Sequence, residues 1–258
     1  MPPAPIALPA LDDNYIWFLA GGNGLGVIVD PGEAAPVEQA LANGLRACAI
    51  LVTHHHHDHT GAVAELARRH DLPVYAPHDE RIDVADVRVA EGDSVVLPHA
   101  DLRFEVWQVP GHTRSHVAYI GAGVVFTGDT LFSLGCGRLF EGSPAQMLAS
   151  LQRLADLPAT TQVCCAHEYT LANAAFARVV EPDNADLTAR IEMARAQRSA
   201  GLPTLPTTIA MECATNPFLR CHVESVATSV AAHAGTDPAD ELATFTALRR
   251  WKDVFVPA

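Results

Sequence analysis

The part of the chain that decides its fold is a histidine-rich stretch, Thr53-His54-His55-His56-His57-Asp58-His59. It directly follows the apolar run Ala49-Ile50-Leu51-Val52, which predicts a buried strand. Imidazole and carboxylate groups are ligands for zinc, iron or manganese. Because side chains alternate in an extended segment, His54 and His56 are expected to face one metal ion. Asp58 and His59, past the bend, are expected to reach a second ion.

A bland alternative for this stretch is a surface tract of histidines with loose metal affinity. Its position inside the chain, at the end of an apolar run, disfavours a tag-like segment. The spacing also differs from the helical H-E-x-x-H motif, in which the two histidines are four residues apart. His55 and His57 occupy the variable positions of the pattern, so we expect them outside the ligand set.

Composition limits the possible partners of the chain. With 258 residues, of which 49% are hydrophobic, the chain can form one large domain or a medium domain plus a small one. The net charge of −13 argues against nucleic acid or an anionic membrane surface as a partner. It also makes any local cluster of Arg and Lys informative, because an anionic substrate would need one.

The expected compartment is the cytoplasm. The apolar runs are far shorter than the ~20 residues that cross a bilayer. The first residues, Met1-Pro2-Pro3-Ala4-Pro5, lack the basic and apolar regions of a secretory signal. The six cysteines form no C-x-x-C pair, which favours reduced thiols in a cytosolic protein.

The pattern of secondary structure changes near Tyr169. Before it, a hairpin is predicted over 14–19 and 26–29, and helices over 36–43, 60–70 and 144–154, the last with Ser143 as N-cap. Further strands are predicted over 73–76, 104–109, 117–120, 124–127 and 162–166. After Tyr169, helices are predicted over 171–180, 186–200, 223–232 and 238–254. We therefore expect an α+β domain over residues 1–170 and a small all-helical domain over 171–258.

Three more candidate ligands each follow an apolar run. They are His112 in Pro110-Gly111-His112-Thr113, Asp129 in Thr127-Gly128-Asp129-Thr130 and His167 in Ala166-His167-Glu168-Tyr169. A polar residue that closes a buried strand lies where a mixed sheet places its site. Asp12, Asp13 and Asp30 are interpreted as turn residues instead.

The ordered set T-H-x-H-x-D-H, G-H-T, G-D-T and a strand-terminal His resembles the metallo-β-lactamase superfamily over roughly residues 6–170. The resemblance implies an αββα sandwich with a two-metal site. It assigns His54, His56 and His112 to the first ion, with Asp129 as a bridge. It assigns Asp58, His59 and His167 to the second ion.

The remaining motifs resemble the glyoxalase II (hydroxyacylglutathione hydrolase) family. They are Gly135-Cys136-Gly137-Arg138-Leu139-Phe140-Glu141-Gly142, His167-Glu168-Tyr169-Thr170, Glu181-Pro182, Asn216-Pro217-Phe218 and Leu248-Arg249-Arg250-Trp251-Lys252-Asp253. Enzymes of this family hydrolyse S-D-lactoylglutathione to D-lactate and glutathione, the second step of methylglyoxal detoxification. Their helical C-terminal domain closes over the glutathione.

The resemblance also implies the cofactors and the residue roles. Two divalent ions are expected, zinc first, with iron or manganese as alternatives. A hydroxide held between the two ions would attack the thioester, with Asp58 as the catalytic residue that orients it. Arg138, Arg249 and Lys252 would bind the carboxylates of glutathione, and Tyr169 would donate a hydrogen bond to the peptide.

The chain departs from the family pattern at three positions. The family more often has Lys at position 138, Tyr at 140 and Gly at 115. Arg138 can still hold a carboxylate, and bidentately. Phe140 lacks the hydroxyl that could bind the tripeptide, and Ser115 departs from the pattern near His112 but leaves the assignment of that ligand unchanged. Arg249 and Lys252 have a bland alternative as cations that the dipole favours at a helix C-terminus.

Several other functions share the superfamily motif. A glutathione persulfide dioxygenase uses one iron and oxygen, and a lactonase or β-lactamase needs no basic clamp. RNA-processing nucleases need positive surface, which the net charge disfavours. A non-enzymatic metal-dependent binding module is the remaining alternative. The number of metal ions per chain separates several of these.

Overall fold

The computed structural model describes residues 4–256, and this part of the chain forms two compact units. The first unit consists of the residues up to Val109 together with Ser115–Gly128 and Gln162–His167. The second unit consists of Pro110–Arg114, Asp129–Thr161 and the chain from Glu168 onward. Each unit therefore combines segments that are distant in the sequence.

One sheet of the first unit follows the order of the sequence. Its strands are Ile6–Ala10, Asn14–Ala20, Leu25–Val29, Arg46–Leu51, Val74–Pro77 and Val87–Val89. The first three strands pair antiparallel, and pairing from Leu25–Val29 onward is parallel. Parallel strands need crossover connections. Helices Ala34–Ala42 and Val63–His70 lie in these connections, and the short helix His57–Thr60 precedes the second of them.

The apolar residues of this sheet form its core. Ile16, Ile28, Ile50 and Val52 are buried in one cluster with Leu66 of the helix Val63–His70. The run Ala49–Val52 is buried throughout, as expected of a central parallel strand that is covered on both faces. This burial fixes the position at which the histidine-rich stretch leaves the sheet.

The second sheet of the first unit is mostly antiparallel. Its spatial order is Gln162–Cys165, Val124–Gly128, Val117–Gly121, Leu102–Gln108 and Ser94–Leu97. Only the pairing of Gln162–Cys165 with Val124–Gly128 is parallel among the described strands of this unit's second sheet. Buried and exposed residues alternate from Leu102 to Val106, as in a strand with one covered face.

Hydrogen bonds connect the two sheets close to the candidate ligands. The backbone N–H of Tyr15 donates to the carbonyl oxygen of Ala166 at 2.6 Å. The backbone N–H of Val117 donates to the carbonyl oxygen of Thr53 at 3.0 Å. The Tyr119 hydroxyl donates to the carbonyl oxygen of Val52 at 3.0 Å. The residues just before His54 and His167 are therefore anchored on both sheets.

The second unit is largely helical. Its described helices are Pro144–Ala155, Thr170–Val180, Ala185–Ser199, Ile209–Thr215, Glu224–Ala234 and Glu241–Val254. A small hairpin joins Leu131–Phe132 to Gly135–Cys136, and a short strand lies at Thr207–Thr208. Leu134, Ala174, Ala177, Leu187 and Ile191 form a buried cluster of this unit.

Most predicted elements are confirmed to within a few residues. The N-cap at Ser143 is also confirmed, since its hydroxyl accepts from the backbone N–H of Gln146 at 3.2 Å, and the Gln146 side chain accepts in return to form a capping box. The sequence analysis missed strands Ile6–Ala10, Val87–Val89 and Ser94–Leu97, which are short edge or near-edge strands. It also missed the helix Ile209–Thr215, which is only 7 residues long and closely follows Pro206.

The domain boundary at residue 170 stays a prediction, because the second compact unit also contains segments from before that residue. Within residues 4–256, no helix is both long and apolar enough to cross a bilayer. All six cysteines are free thiols.

Candidate metal centre and substrate site

His54 and His56 lie together at the end of the strand Arg46–Leu51. The Nε2 atom of His54 is 3.0 Å from the Nδ1 atom of His56. Each zinc–imidazole bond is about 2.0–2.1 Å long. Two ring nitrogens that bind one zinc ion therefore lie at a separation comparable to the one between His54 and His56. The alternation predicted from the sequence therefore brings these two rings to one point.

Asp58, His59 and His167 form a second group in the same unit. Their ligand atoms all lie within 4.8 Å of one another. Oδ2 of Asp58 is 3.4 Å from Nε2 of His59 and 3.3 Å from Nε2 of His167. Both imidazoles are buried, while the Asp58 side chain keeps about a third of its surface exposed. One carboxylate and two imidazoles at this spacing are compatible with a metal ion.

The Nδ1 atoms of three buried imidazoles in this unit are already engaged. The contacts from Nδ1 are to Asp30 Oδ2 for His59 at 3.0 Å, to Asp13 Oδ1 for His167 at 2.7 Å and to Thr53 Oγ1 for His54 at 3.0 Å. An acceptor at Nδ1 fixes the tautomer with its proton there and leaves the lone pair of Nε2 for a metal. These rings are therefore oriented for coordination through Nε2.

Asp13 lies in a turn, as predicted, but Asp13 and Asp30 also have a role that the sequence analysis missed, because each contacts an imidazole of the candidate site. Asp30 is buried, and its carboxylate also accepts from the backbone N–H and the hydroxyl of Thr53, both at 2.7 Å. Its φ of +53° lies in the left-handed region, which non-glycine residues rarely adopt. The signal that could have identified it is its position at the end of a buried strand.

The carboxylate of Asp58 is held in its ionised form. Burial raises its pKa, but hydrogen bonds from His167, His59 and Asn14 outweigh this and hold the pKa of Asp58 well below its usual range. The Asn14 amide donates to Oδ2 of Asp58 at 3.1 Å. Asp58 is therefore a hydrogen-bond acceptor at neutral pH.

The backbone carbonyl of Asp58 packs against Gly32. A Cβ atom at position 32 would lie 1.9 Å from the carbonyl oxygen of Asp58. Any side chain there would displace the short helix His57–Thr60, so the close approach requires glycine.

His112 and Asp129 lie together in the second unit. Nε2 of His112 is 3.4 Å from Oδ2 of Asp129, and both side chains are buried. The Nδ1 atom of His112 donates to the carbonyl oxygen of Arg138 at 2.8 Å. This hydrogen bond orients the ring with its Nε2 atom facing Asp129. Gly137 packs against Asp129 as Gly32 does against Asp58, because a Cβ there would lie 1.9 Å from the carbonyl oxygen of Asp129.

The remaining polar residues near these groups have other contacts. His57 is exposed, and Nδ1 of His55 lies 3.5 Å from Oδ2 of Asp79. Ser115 donates its hydroxyl to the same oxygen of Asp79 at 2.5 Å, which gives this departure from the family pattern a structural partner. His116 is buried and stacks on the ring of His54, with centroids 4.5 Å apart.

Three predicted substrate residues, Arg138, Arg249 and Lys252, form a basic cluster in the second unit. Oδ1 of Asp253 lies 3.0 Å from Nη2 of Arg249 and 3.8 Å from Nε of Arg138. The Lys252 ammonium donates to the carbonyl oxygen of Ala172 at 3.3 Å, in the first turn of the helix Thr170–Val180. Tyr169 immediately precedes that helix.

The members of the basic cluster differ in exposure. The Arg138 side chain is 63% exposed, whereas Arg249 is buried. Arg249 donates to the carbonyl oxygen of Cys136 at 2.8 Å, so it also supports the backbone. Burial, followed by repulsion from Arg249 and Arg138, lowers the pKa of Lys252 to about 8.

The surroundings of Cys136 favour its protonated thiol. Burial raises the pKa of its thiol, and the nearby Arg249 only partly offsets this.

Phe140 is 64% exposed, and its ring centroid lies 5.2 Å from that of His112.

Known protein families match both the N-terminal and the C-terminal part of this chain. The metallo-beta-lactamase superfamily model matches residues 11–167. The model for the hydroxyacylglutathione hydrolase C-terminus matches residues 168–255. Together these matches confirm the predicted fold class, α+β, with a metallo-β-lactamase-type αββα sandwich followed by a small all-helical C-terminal domain.

Curated relatives match almost the whole length. A hydroxyacylglutathione hydrolase of Xanthomonas campestris pv. campestris (strain B100) is 56% identical over 251 residues, covering 96% of this chain and 98% of the relative. One of Xylella fastidiosa (strain M12) is 54% identical over 249 residues, covering 96% of each. A solved structure, TTHA1623 in a di-iron-bound form, is 30% identical with a TM-score of 0.57, covering 84% of this chain and 100% of that one. The chain therefore belongs to the hydroxyacylglutathione hydrolase family of the metallo-β-lactamase superfamily.

Proposed function

We propose that this chain is a hydroxyacylglutathione hydrolase that cleaves S-(2-hydroxyacyl)glutathione thioesters, with S-D-lactoylglutathione as substrate and D-lactate and glutathione as products. The observation that carries the proposal is the group Asp58, His59 and His167, with both imidazoles oriented through Nδ1. The names of the curated relatives support the choice of substrate. The reaction belongs to methylglyoxal detoxification.

We infer that seven residues hold two divalent metal ions. His54, His56 and His112 would hold one ion, Asp58, His59 and His167 the other, and Asp129 would bridge them. The donor set is imidazole and carboxylate only, which suits zinc, with iron or manganese as alternatives. The di-iron form of the similar solved structure supports two ions. When bound, such ions lower the pKa of a coordinated water and polarise a carbonyl group.

Asp58 would contribute directly to the attack on the thioester. Its carboxylate is ionised and partly exposed, so it can accept a hydrogen bond from the attacking water and hold that water in one orientation. The leaving group is the thiolate of glutathione, whose conjugate acid has a modest pKa of about 8.5. It can therefore leave without a strong acid, and no nucleophilic Ser or Cys is needed.

The basic cluster would bind the carboxylates of glutathione. Its positive charge stands out in a chain with a net charge of −13. Arg138 is exposed enough to reach a ligand, and Lys252 is only half-buried. Tyr169, beside the same first helical turn as Ala172, would donate a hydrogen bond to the peptide.

We also propose a domain organisation and a location for this enzyme. Residues 1–170 would form the catalytic domain and residues 171–258 the substrate-binding domain. We place the enzyme in the cytoplasm, on the pattern of its free cysteines, with no nucleic acid or membrane partner.

The test is hydrolysis of S-D-lactoylglutathione, followed by the loss of thioester absorbance, with metal analysis on the same sample. We expect turnover and two metal ions per chain. A chain that holds two ions and leaves the thioester intact contradicts the proposal. One iron per chain with oxygen uptake would instead indicate a glutathione persulfide dioxygenase, and turnover of lactones alone would indicate a lactonase.

A further inference from the structure

A buried ion pair lies in the second unit, apart from the proposed metal ligands. Arg190 of the helix Ala185–Ser199 donates from Nη2 to Oε1 of Glu212 in the helix Ile209–Thr215. Glu212 is completely buried and Arg190 nearly so. Because apolar residues often stabilise a core as well as a buried ion pair does, the pair calls for an explanation beyond stability.

The ion pair binds the turn of the small hairpin Leu131–Phe132/Gly135–Cys136. The backbone N–H of Leu134 donates to Oε2 of Glu212 at 2.9 Å. Nη2 of Arg190 donates to the hydroxyl of Ser133 at 3.0 Å. Leu134 has a φ of +59°, a left-handed conformation that leucine rarely adopts. The buried carboxylate therefore holds this turn in a backbone conformation that the sequence disfavours.

Asn216 extends the same contacts along the hairpin. Its side-chain amide donates to the carbonyl oxygens of Phe132 and Gly135 at 3.1 and 3.0 Å, and it lies 3.0 Å from Oε2 of Glu212. This gives the motif Asn216-Pro217-Phe218, which the proposed chemistry leaves unexplained, a structural task. We call Arg190, Glu212 and Asn216 the polar clamp.

Both ends of the clamped hairpin carry residues of the proposed site. Asp129 lies two residues before Leu131, and Arg138 lies two residues after Cys136. The ends are tied together, because the backbone N–H of Gly137 donates to the carbonyl oxygen of Thr130 at 3.1 Å. The carbonyl oxygen of Arg138 in turn accepts from His112.

We propose that the polar clamp is a set of positioning residues, which fixes Asp129 for metal binding and Arg138 for substrate binding through one rigid hairpin. The roles of Asp129 and Arg138 rest on the proposed function, whereas the contacts of the clamp do not. Loss of the clamp would then weaken metal binding and raise KM together, through residues that touch neither ligand.

The test compares two buried carboxylates of the same unit. Glu212→Gln weakens the clamp. Glu181→Gln is the matched control, since Glu181 is also buried and bound bidentately by an arginine, Arg220, at 2.7 and 2.9 Å. Zinc affinity is measured on the full chain by competition with a chelator, alongside thermal stability, kcat and KM. We expect Glu212→Gln to lose about 10-fold or more in zinc affinity and to raise KM, while Glu181→Gln loses stability only.

Two milder variants keep the proposal falsifiable if Glu212→Gln fails to fold. Asn216→Ala and Ser133→Ala remove contacts to the hairpin and leave the ion pair in place. Equal zinc affinity and equal KM in the folded clamp variants and the control would overturn the proposal and leave the clamp a purely stabilising feature. The zinc measurement needs no thioester, so it remains decisive even if the wild-type chain does not hydrolyse S-D-lactoylglutathione.

Discussion

The imidazoles of the first unit and the basic cluster of the second unit are held in different ways. His59 and His167 each have one ring nitrogen fixed by a separate carboxylate, and both rings are buried. In the basic cluster, two arginines lie near one oxygen of Asp253, and Arg138 is largely solvent-exposed. In the first unit, therefore, each of these imidazole rings is oriented by its own carboxylate. In the second unit, two arginines share the carboxylate of Asp253.

This difference separates two kinds of effect. Removing a group that orients a metal ligand should change metal binding and kcat. A group that supplies charge near the surface should change KM and its dependence on pH. Four substitutions or conditions test this separation.

Asp58→Ala should give the largest effect, a loss of about 10²–10⁴-fold in kcat, because it removes the acceptor that orients the attacking water. The measurement is kcat on samples whose metal content is determined. Near-wild-type turnover with full metal content would remove Asp58 from the mechanism.

Asp30→Asn should weaken metal binding by about 10- to 100-fold, because an amide accepts less well from the His59 ring and the Thr53 hydroxyl. Chelator competition measures the change. Asp86→Asn is a control for loss of a carboxylate in the same unit, since Asp86 is exposed and accepts from the backbone N–H of Val74 at 2.9 Å. Equal metal affinities in the two variants would contradict the orienting role of Asp30.

Arg249→Ala combined with Lys252→Ala should raise KM by about 10-fold or more, the value of a hydrogen bond to a charged group, and change kcat less. Arg250→Ala serves as the control, because Arg250 is an exposed neighbour on the same helix. An unchanged KM in the double variant would mean that the basic cluster does not bind glutathione.

The smallest effect should be a rise in KM as the pH passes about 8. Burial and the nearby Arg249 and Arg138 lower the pKa of Lys252 to about 8, against an opposing pull from Asp253 and Cys136. Lys252 is charged below this pH and neutral above it, so its attraction for a carboxylate is present at low pH and lost as pH rises. Steady-state KM between pH 6.5 and 9 checks this, and Lys252→Met should flatten the profile.

The sequence was most informative about the local part of the candidate site. His54, His56 and Asp58 lie within one short stretch, so alternation along the chain was enough to place the first two rings together. The strand-terminal positions of His112, Asp129 and His167 were equally visible, because each follows an apolar run.

The orienting residues were not predictable in the same way. Asp13 meets His167 across 154 positions of the sequence, and Asp30 meets Thr53 across 23. An aspartate that begins a turn and one that orients an imidazole have the same local pattern, so only the tertiary fold separates them. Glu212 was missed for a related reason, since a buried glutamate is rare and its partner Arg190 comes from another helix.

Two glycines face the backbone of Asp58 and Asp129. Substitutions at these glycines can displace the aspartates, although the glycines have no chemical role themselves. Gly32 and Gly137 each leave no room for even a methyl group before a carbonyl oxygen. In a random mutagenesis screen, alanine at either position should therefore inactivate the enzyme as thoroughly as loss of an aspartate, although glycine offers a metal ion nothing to bind.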